Sequence, residues 1–391
     1  MTASDSLDVC FLINHLDAGG AQTLLRNIVA LDDRPTVTYT VCYAGGSNEF
    51  GSEFEALGVD VVDLGARTDP PQFDPRAVAR TVQYFGTHDV DVVHGHLPYG
   101  AVLGRIAGRR ADAAVVTTHH SVQENYHPIE RTLEEATRRY DDATVFVSDA
   151  VAGSFDGPTD SDTLARTIYN GIDVEGFREQ LQSTDPDEVR ADLGVADELL
   201  VLQVGRCIEA KRQLDLVGAV DQLTDRVADP GIHVAIVGDG PQRSELEAAV
   251  RNRGLDAHVS IVGRVSPSRI HDYYAAADAY AQVSIYEGMP MTLLEAMASG
   301  LPLVGTDVPG IAEFVDSKTG LLVPAESPQG LADAMTALRD VDRREQLARA
   351  CLTRVAERYE IDRTVRAYHE IYEQVTAGRT SPEPEATLYS R

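Results

Sequence analysis

Residues 279–306 read AYAQVSIYEGMPMTLLEAMASGLPLVGT, and the fold is decided by how this stretch is read. AYAQVS and LPLVGT are short runs of strand length, and MTLLEAMAS between them is a helical run. Pro290 suits the first turn of a helix, and Gly300 suits a left-handed stop before the next strand. Two carboxylates mark the segment: Glu287 at the mouth of the helix and Glu295 inside it, eight residues on. In a chain rich in glutamate such a pair is common by chance, and a solvated helix face is the plain explanation. The helix is too apolar for that. Its N-terminus, with free amides from Gly288 to Met291, points at whatever lies beyond the strand ends.

The same alternation extends in both directions. LLVLQVG, HVAIVGDG and VSIVG precede the stretch as strands with helical segments between them. Closer to the N-terminus, LDVCFLIN, TVTYTVCYAG, VDVVDLG, DVDVVHGH, AAVVTTHH and DATVFVSDAV repeat the theme, with GAVLGRIAGRRA among the helices. Strands alternating with helices imply parallel sheets covered on both faces. The chain, at 391 residues, exceeds one typical core. The fold class is therefore α/β, with two doubly wound, Rossmann-like domains facing across a cleft. Their junction falls near 171–185, where polar REQLQSTDPDEV follows TIYNGIDVEGF. The expected domains are 1–172 and 173–359, with a helix at 360–377 and a disordered Pro/Glu/Ser tail at 378–391. Ligands of such sheets sit beyond the carboxyl ends of the strands, so the turns there carry the chemistry.

Sixty-two acids face 34 bases, a formal charge of −28, and only Lys211 and Lys318 among the bases are lysines. Self-repulsion of that size is screened in concentrated salt, which points to a salty cytoplasm. It argues against nucleic-acid binding, which wants a basic stripe. No run approaches the roughly 18 apolar residues of a membrane span, and the first residues lack a signal layout. Cys10, Cys42, Cys207 and Cys351 are scattered and read as core residues in a reducing compartment.

Three glycine turns follow strands. Gly19 and Gly20 let backbone amides approach a phosphate at a helix N-terminus, or form only a tight turn. VGDGPQR at 237–243 lacks the third glycine of a dinucleotide fingerprint, since Arg243 stands there. Gly205-Arg206 closes LLVLQVG, and Lys211 follows; two cations beyond a strand end suit a diphosphate, and surface charge is the alternative. One of only two lysines standing at this spot favours function.

E-G-M-P followed by E-A-M-A-S-G-L-P, with VVHGHLPYGA, VVTTHHS, IYNGIDVEGF, VGRCIEAK, VGDGP and VGRV in order, resembles the retaining glycosyltransferases of the GT-B fold, family 4. The resemblance covers about residues 7–375. It implies transfer of a sugar from a UDP- or GDP-linked donor, without cofactor or metal, with retention of anomeric configuration. Gly205, Arg206 and Lys211 would hold the donor diphosphate. Glu287 with Gly288, Met289 and Pro290 would grip the donor sugar, Glu295 the ribose, and Val265 the base pocket. Gly19 and Gly20 would approach phosphates or acceptor, and His120, or His119 if the pattern slips by one, would stand near the sugar. The final helix would cross back to the first domain. The acceptor would be a sugar, polyol or lipid-linked carrier, with peripheral membrane contact in the last case, in assembly of a surface glycan or lipid-linked oligosaccharide. His94 and His96 alternate along a strand without a carboxylate or cysteine at ligand spacing, so they read as satisfied strand-end histidines rather than a metal pair. An inactive nucleotide-sugar sensor or scaffold and a nucleotide-sugar epimerase are the competing readings. A pyridoxal-phosphate phosphorylase fits poorly, because Lys211 is claimed by the phosphate site and Lys318 sits in the turn DSKTG.

Overall fold

The computed structural model describes residues 6–67, 74–155, 163–226 and 231–377; the expected tail at 378–391 lies outside them. The chain divides into two compact units. The first holds Met1–Val147, Ser154–Ile168 and Thr364–Arg391; the second holds Ser148–Gly153 and Tyr169–Arg363.

The first unit is built on seven strands: β1 Leu7–Ile13, β2 Val37–Gly45, β3 Asp60–Ala66, β4 Val92–His96, β5 Ala114–His119, β6 Ala143–Phe146 and β7 Leu164–Thr167. Their order is β3-β2-β1-β4-β5-β6-β7, and each neighbouring pair is parallel. The second unit has β8 Leu199–Val204, β9 Ile232–Val237, β10 Val259–Gly263, β11 Ala279–Gln282, β12 Leu303–Thr306 and β13 Gly320–Val323. Its order is β10-β9-β8-β11-β12-β13, again parallel throughout. Both sheets reverse direction of growth once, between β1 and β4 and between β8 and β11. A crevice opens at the carboxyl ends of the strands at such a switch point.

Two strands were not legible in the sequence, β7 and β13. Each has four residues, stands at a sheet edge and is only partly buried. Such strands carry too few residues for an alternation pattern, and pairing with the neighbour defines them.

The central strands are buried because helices cover both faces. One apolar cluster joins Val201, Val234, Ile236, Ala281 and Val304 to Leu216, Val220, Leu246 and Met335 in the second unit. In the first unit the helix Pro98–Ala111 lies so close to β1 that a Cβ on Gly100 would meet the Leu12 carbonyl oxygen at 2.6 Å. Its Arg105, fully buried, donates to Glu134 at 2.6 and 2.8 Å and to Asp141 at 2.8 and 2.7 Å. The final helix, Ile361–Thr376, docks in the first unit through Tyr372 Oη to His94 Nδ1 at 2.7 Å and His369 Nε2 to Asp32 Oδ2 at 2.7 Å. No helix among the described residues is long and apolar enough to cross a membrane.

Candidate functional site

The second unit's switch point gathers charge. Beyond β8 the chain turns at Gly205, φ 154°, and runs through the exposed Arg206 into a single 3-10 turn, Glu209–Lys211. Beyond β11 it continues through Ser284 to Glu287 and enters the helix Met291–Ala298 with Pro290 as its N-cap. Ile285 donates its amide to Ala210 O at 2.9 Å, which sets the two turns side by side.

Lys211 Nζ and Glu287 Oε1 form an ion pair there. The same carboxylate oxygen accepts from Gln282 Nε2 at 2.7 Å and Ser284 Oγ at 2.5 Å. Three donors on one oxygen fix the carboxylate and, among the described residues, leave Oε2 with its acceptor capacity open. The sequence assigned Lys211 and Glu287 to different parts of a ligand; in this structure they hold each other. Arg206 has no side-chain partner among the described residues, and only its carbonyl is used, accepting from Gln213 Nε2 at 2.9 Å. Gln282 and Ser284 escaped the sequence reading, although polar residues at the end of a buried strand were the available signal.

The loop from Glu287 to Pro290 is held from several sides. Ser148 Oγ donates to Gly288 O at 2.9 Å, and Asn170 Nδ2 to Met289 O at 3.3 Å. This gives the Asn-Gly-Ile-Asp junction a local reason: Asn170 braces the loop, while Asp173 caps the helix Val174–Gln182 by accepting from the Gly176 amide at 2.8 Å. Gly310 packs its Cα against the carbonyl of Glu287 so tightly that any Cβ would overlap it. The amides of Gly288 and Met289 donate to nothing among the described residues, so the loop offers donors beside an open carboxylate oxygen.

Glu295 lies one turn into the helix and accepts from Tyr274 Oη at 2.7 Å. Burial pushes its carboxyl above the ordinary value, against the opposing hydrogen bond from Tyr274. The glycines of VGDGP have a packing role: a Cβ on Gly238 would overlap Gly205 O, and one on Gly240 would meet Cys207 O at 2.5 Å. Gly238 also donates to Gly263 O at 2.8 Å, which ties this turn to the one that carries Val265 beyond the edge strand β10.

The first unit's switch point mixes neutral groups with carboxylates: on the turn after β1, Asp17 Oδ2 lies 3.3 Å from His15 Nδ1. Asn14 Oδ1 accepts from the Gly100 amide at 2.7 Å. The Gly19-Gly20 turn starts the helix Gly20–Leu31 with no side-chain cap, and the Ala18 amide before it is taken by Glu49 at 3.2 Å. His94 uses both ring nitrogens, on Tyr372 and on Thr118 Oγ1 at 2.7 Å each, and is satisfied as expected. His96 departs from that expectation: Nδ1 meets His120 Nε2 at 3.0 Å, but its buried Nε2 has no partner among the described residues. His119 faces Tyr126 Oη at 2.9 Å and Glu134 at 3.5 Å, so both its nitrogens point into the protein. His120 is half-buried and stands at the carboxyl end of β5. Burial pushes His119 down to about 4 and His120 to about 3, so both are neutral near pH 7.

Residues 185–351 match the family described as "Glycosyl transferases group 1", and residues 18–175 match "Glycosyltransferase Family 4". The GDP-mannose-dependent alpha-(1-6)-phosphatidylinositol monomannoside mannosyltransferase of Mycolicibacterium smegmatis is 29% identical over 305 residues, covering 74% of this chain and 77% of that protein. The N-acetyl-alpha-D-glucosaminyl L-malate synthase of Bacillus anthracis is 24% identical over 316 residues, covering 78% and 80%. Among solved structures, Anabaena HepE in complex with UDP-glucose superposes with a TM-score of 0.80 at 23% identity, over 94% of this chain and 100% of that one. Sucrose-phosphate synthase from Thermosynechococcus elongatus gives 0.79 at 20% identity, over 95% and 100%. These structures share the fold of two parallel-sheet, Rossmann-like domains.

Proposed function

We propose a function from one premise: the chain belongs to the GT-B glycosyltransferases of the group 1 and family 4 type. It moves a sugar from a nucleotide-sugar donor to an acceptor, with retention and without a metal. The observation that carries this reading is the Lys211–Glu287 pair at the β8/β11 switch point, with the exposed Arg206 on the same turn after β8. The donor is UDP- or GDP-linked. HepE was crystallised with UDP-glucose, and the M. smegmatis relative is GDP-mannose-dependent, which supports the class without choosing the base.

Arg206 and Lys211 neutralise the diphosphate as the bond from the sugar C1 to its phosphate oxygen breaks. Charge preorganised at the point where it develops usually lowers a barrier more than any other single device. Glu287, through its open Oε2, and the amides of Gly288 and Met289 hold sugar hydroxyls and fix the orientation of C1. Glu295 takes the ribose, Val265 lines the base pocket, and Gly19 and Gly20 meet phosphate or acceptor. His120 rather than His119 serves the sugar, because the nitrogens of His119 are engaged within the protein. The acceptor oxygen attacks C1 on the face the phosphate leaves, and its proton passes to the departing phosphate oxygen. The acceptor is a sugar, polyol or lipid-linked carrier, and the protein works in a salt-rich cytoplasm, where its charge of −28 is screened.

Thermal unfolding in molar KCl with UDP-, GDP- and ADP-sugars tests the reading. One donor at a hundred times its Kd adds about 2.7 kcal/mol of stability by mass action, and Glu295→Ala removes much of that response. If no nucleotide-sugar shifts the midpoint, the transferase reading fails. With the donor known, the anomeric proton coupling of the product and turnover in EDTA test retention and metal independence.

A further inference from the structure

We propose that His96 is a positioning residue that fixes the tautomer of His120, making His120 a hydrogen-bond donor through Nδ1–H at the carboxyl ends of β4 and β5.

The bond between His96 Nδ1 and His120 Nε2, 3.0 Å, can hold one proton. Either His96 donates or His120 does, and the rest of the His96 ring decides between them. His96 is fully buried and its Nε2 has no partner among the described residues. If His120 donated, the proton of neutral His96 would have to sit on that Nε2, an orphaned buried N–H. Orphaned N–H groups are rarer in proteins than under-used acceptors, because an unpaired donor loses its whole hydration. If His96 donates from Nδ1, its Nε2 is only an idle acceptor. That arrangement is the less costly one. His120 then accepts at Nε2 and carries its own proton on Nδ1.

The alternative in which one ring is protonated is disfavoured. Burial drives His94 and His96 well below the ordinary histidine value and His120 to about 3. The geometry around His96 is rigid as well. Its ring lies 4.1 Å from that of His94, which Tyr372 and Thr118 clamp, and 5.5 Å from Phe11. The next residue, Leu97, takes φ 63° and ψ 159°, a conformation that side-chain-bearing residues rarely hold. Backbone strain of this kind persists where the surroundings over-determine it and concentrates at functional sites. A donor at His120 suits an oxygen acceptor, whether a sugar hydroxyl or a phosphate oxygen. The kinetic consequence rests on the transferase reading; the tautomer does not.

The test is two-bond proton–nitrogen correlation on the full chain labelled with nitrogen-15 histidine, in molar KCl at pH 7, with His96→Asn and His96→Phe. Wild type is expected to show His120 protonated at Nδ1. The His96→Asn variant presents an amide N–H where Nδ1 stood and keeps that tautomer. The His96→Phe variant removes the donor and lets His120 shift toward the Nε2–H form. Turnover with the donor found above is expected to fall about tenfold in kcat for His96→Phe, with partial rescue in His96→Asn and little change in KM. His120 protonated at Nε2 in wild type, or an unchanged tautomer in His96→Phe, overturns the proposal. If His96→Phe does not fold, wild type and His96→Asn still decide it. Loss of the transferase reading would leave the spectroscopic result standing, so the two can fail separately.

Discussion

The two switch points share a strand order and differ in chemistry. Beyond β8 and β11 stand an exposed guanidinium, an ion pair and a carboxylate with one open oxygen. Beyond β1 and β4 stand an asparagine, two glycines, the carboxylates of Asp17 and Glu49, and the histidines His96 and His120, which burial keeps neutral. No lysine or arginine stands among these side chains. The first unit does own a dense ionic cluster, but Arg105, Glu134 and Asp141 lie inside it, away from solvent. The Arg105 cluster therefore uses charge for packing, whereas the pair beyond β8 and β11 leaves part of its charge at the surface of a switch point. The difference teaches that an ionised residue says little until its burial is known. A fully buried cluster holds elements together, whereas one that keeps part of its surface in solvent is available to a charged ligand.

The contrast can be broken by exchanging the consequences. Arg105→Ala leaves two buried carboxylates unpaired and should lower stability by about 3–5 kcal/mol, read from denaturant unfolding. Donor binding should survive wherever the variant is folded. Lys211→Ala should do the reverse: kcat falls about 10²–10³-fold while stability falls less than for Arg105→Ala, because Gln282 and Ser284 still donate to the Glu287 carboxylate. Equal effects of both variants on folding and turnover would erase the distinction. Gly310→Ala sharpens it without touching a charge. Its Cβ must push the Glu287 carbonyl away, and a displacement near 1 Å should cost about 10²-fold in kcat, measured beside the melting curve.

The most gradual effect is that of pH. The folded first unit keeps His119 near 4 and His120 near 3, whereas the unfolded chain takes protons up from about 6.5. The unfolded state thus binds more protons below that value, and stability falls as pH drops from about 6.5 toward 3. Asp32 acts later. Burial opposes its charge, but hydrogen bonds from His369 and Tyr39 outweigh it and bring the carboxyl from 3.8 to about 2, so its contribution is lost as pH falls across that interval. His233 and His271 in the second unit are also lowered by burial, but they do not join a histidine cluster like that of β4 and β5. Hydrogen exchange should therefore show amides of β4 and β5 losing protection in acid before those of β8 and β11. Simultaneous loss would contradict the assignment of acid sensitivity to the histidines.

Much of this was legible in order along the chain. Eleven strand runs, the helix Met291–Ala298 and its stop at Gly300, φ 72°, follow from local pattern and turn chemistry. Gly205, Arg206, Lys211 and Glu287 could be singled out because charge and glycine at strand ends are local signals. The edge strands β7 and β13 could not, since four residues of mixed burial gain their identity from a neighbour. Nor could the partners: Gln282 and Ser284 under Glu287, Asn170 bracing Met289, and His120 bonded to His96 rather than to its neighbour His119 are pairings across 3 to 119 residues of chain. Sequence by itself determined the alternation of strands and helices, because periodicity and turn chemistry act within a few residues. Only the tertiary structure decided which charges are buried and, among the described residues, which oxygen of Glu287 stays open and which nitrogen of His96 goes unpaired, because burial and hydrogen-bond saturation are set by groups that folding brings together from distant parts of the chain.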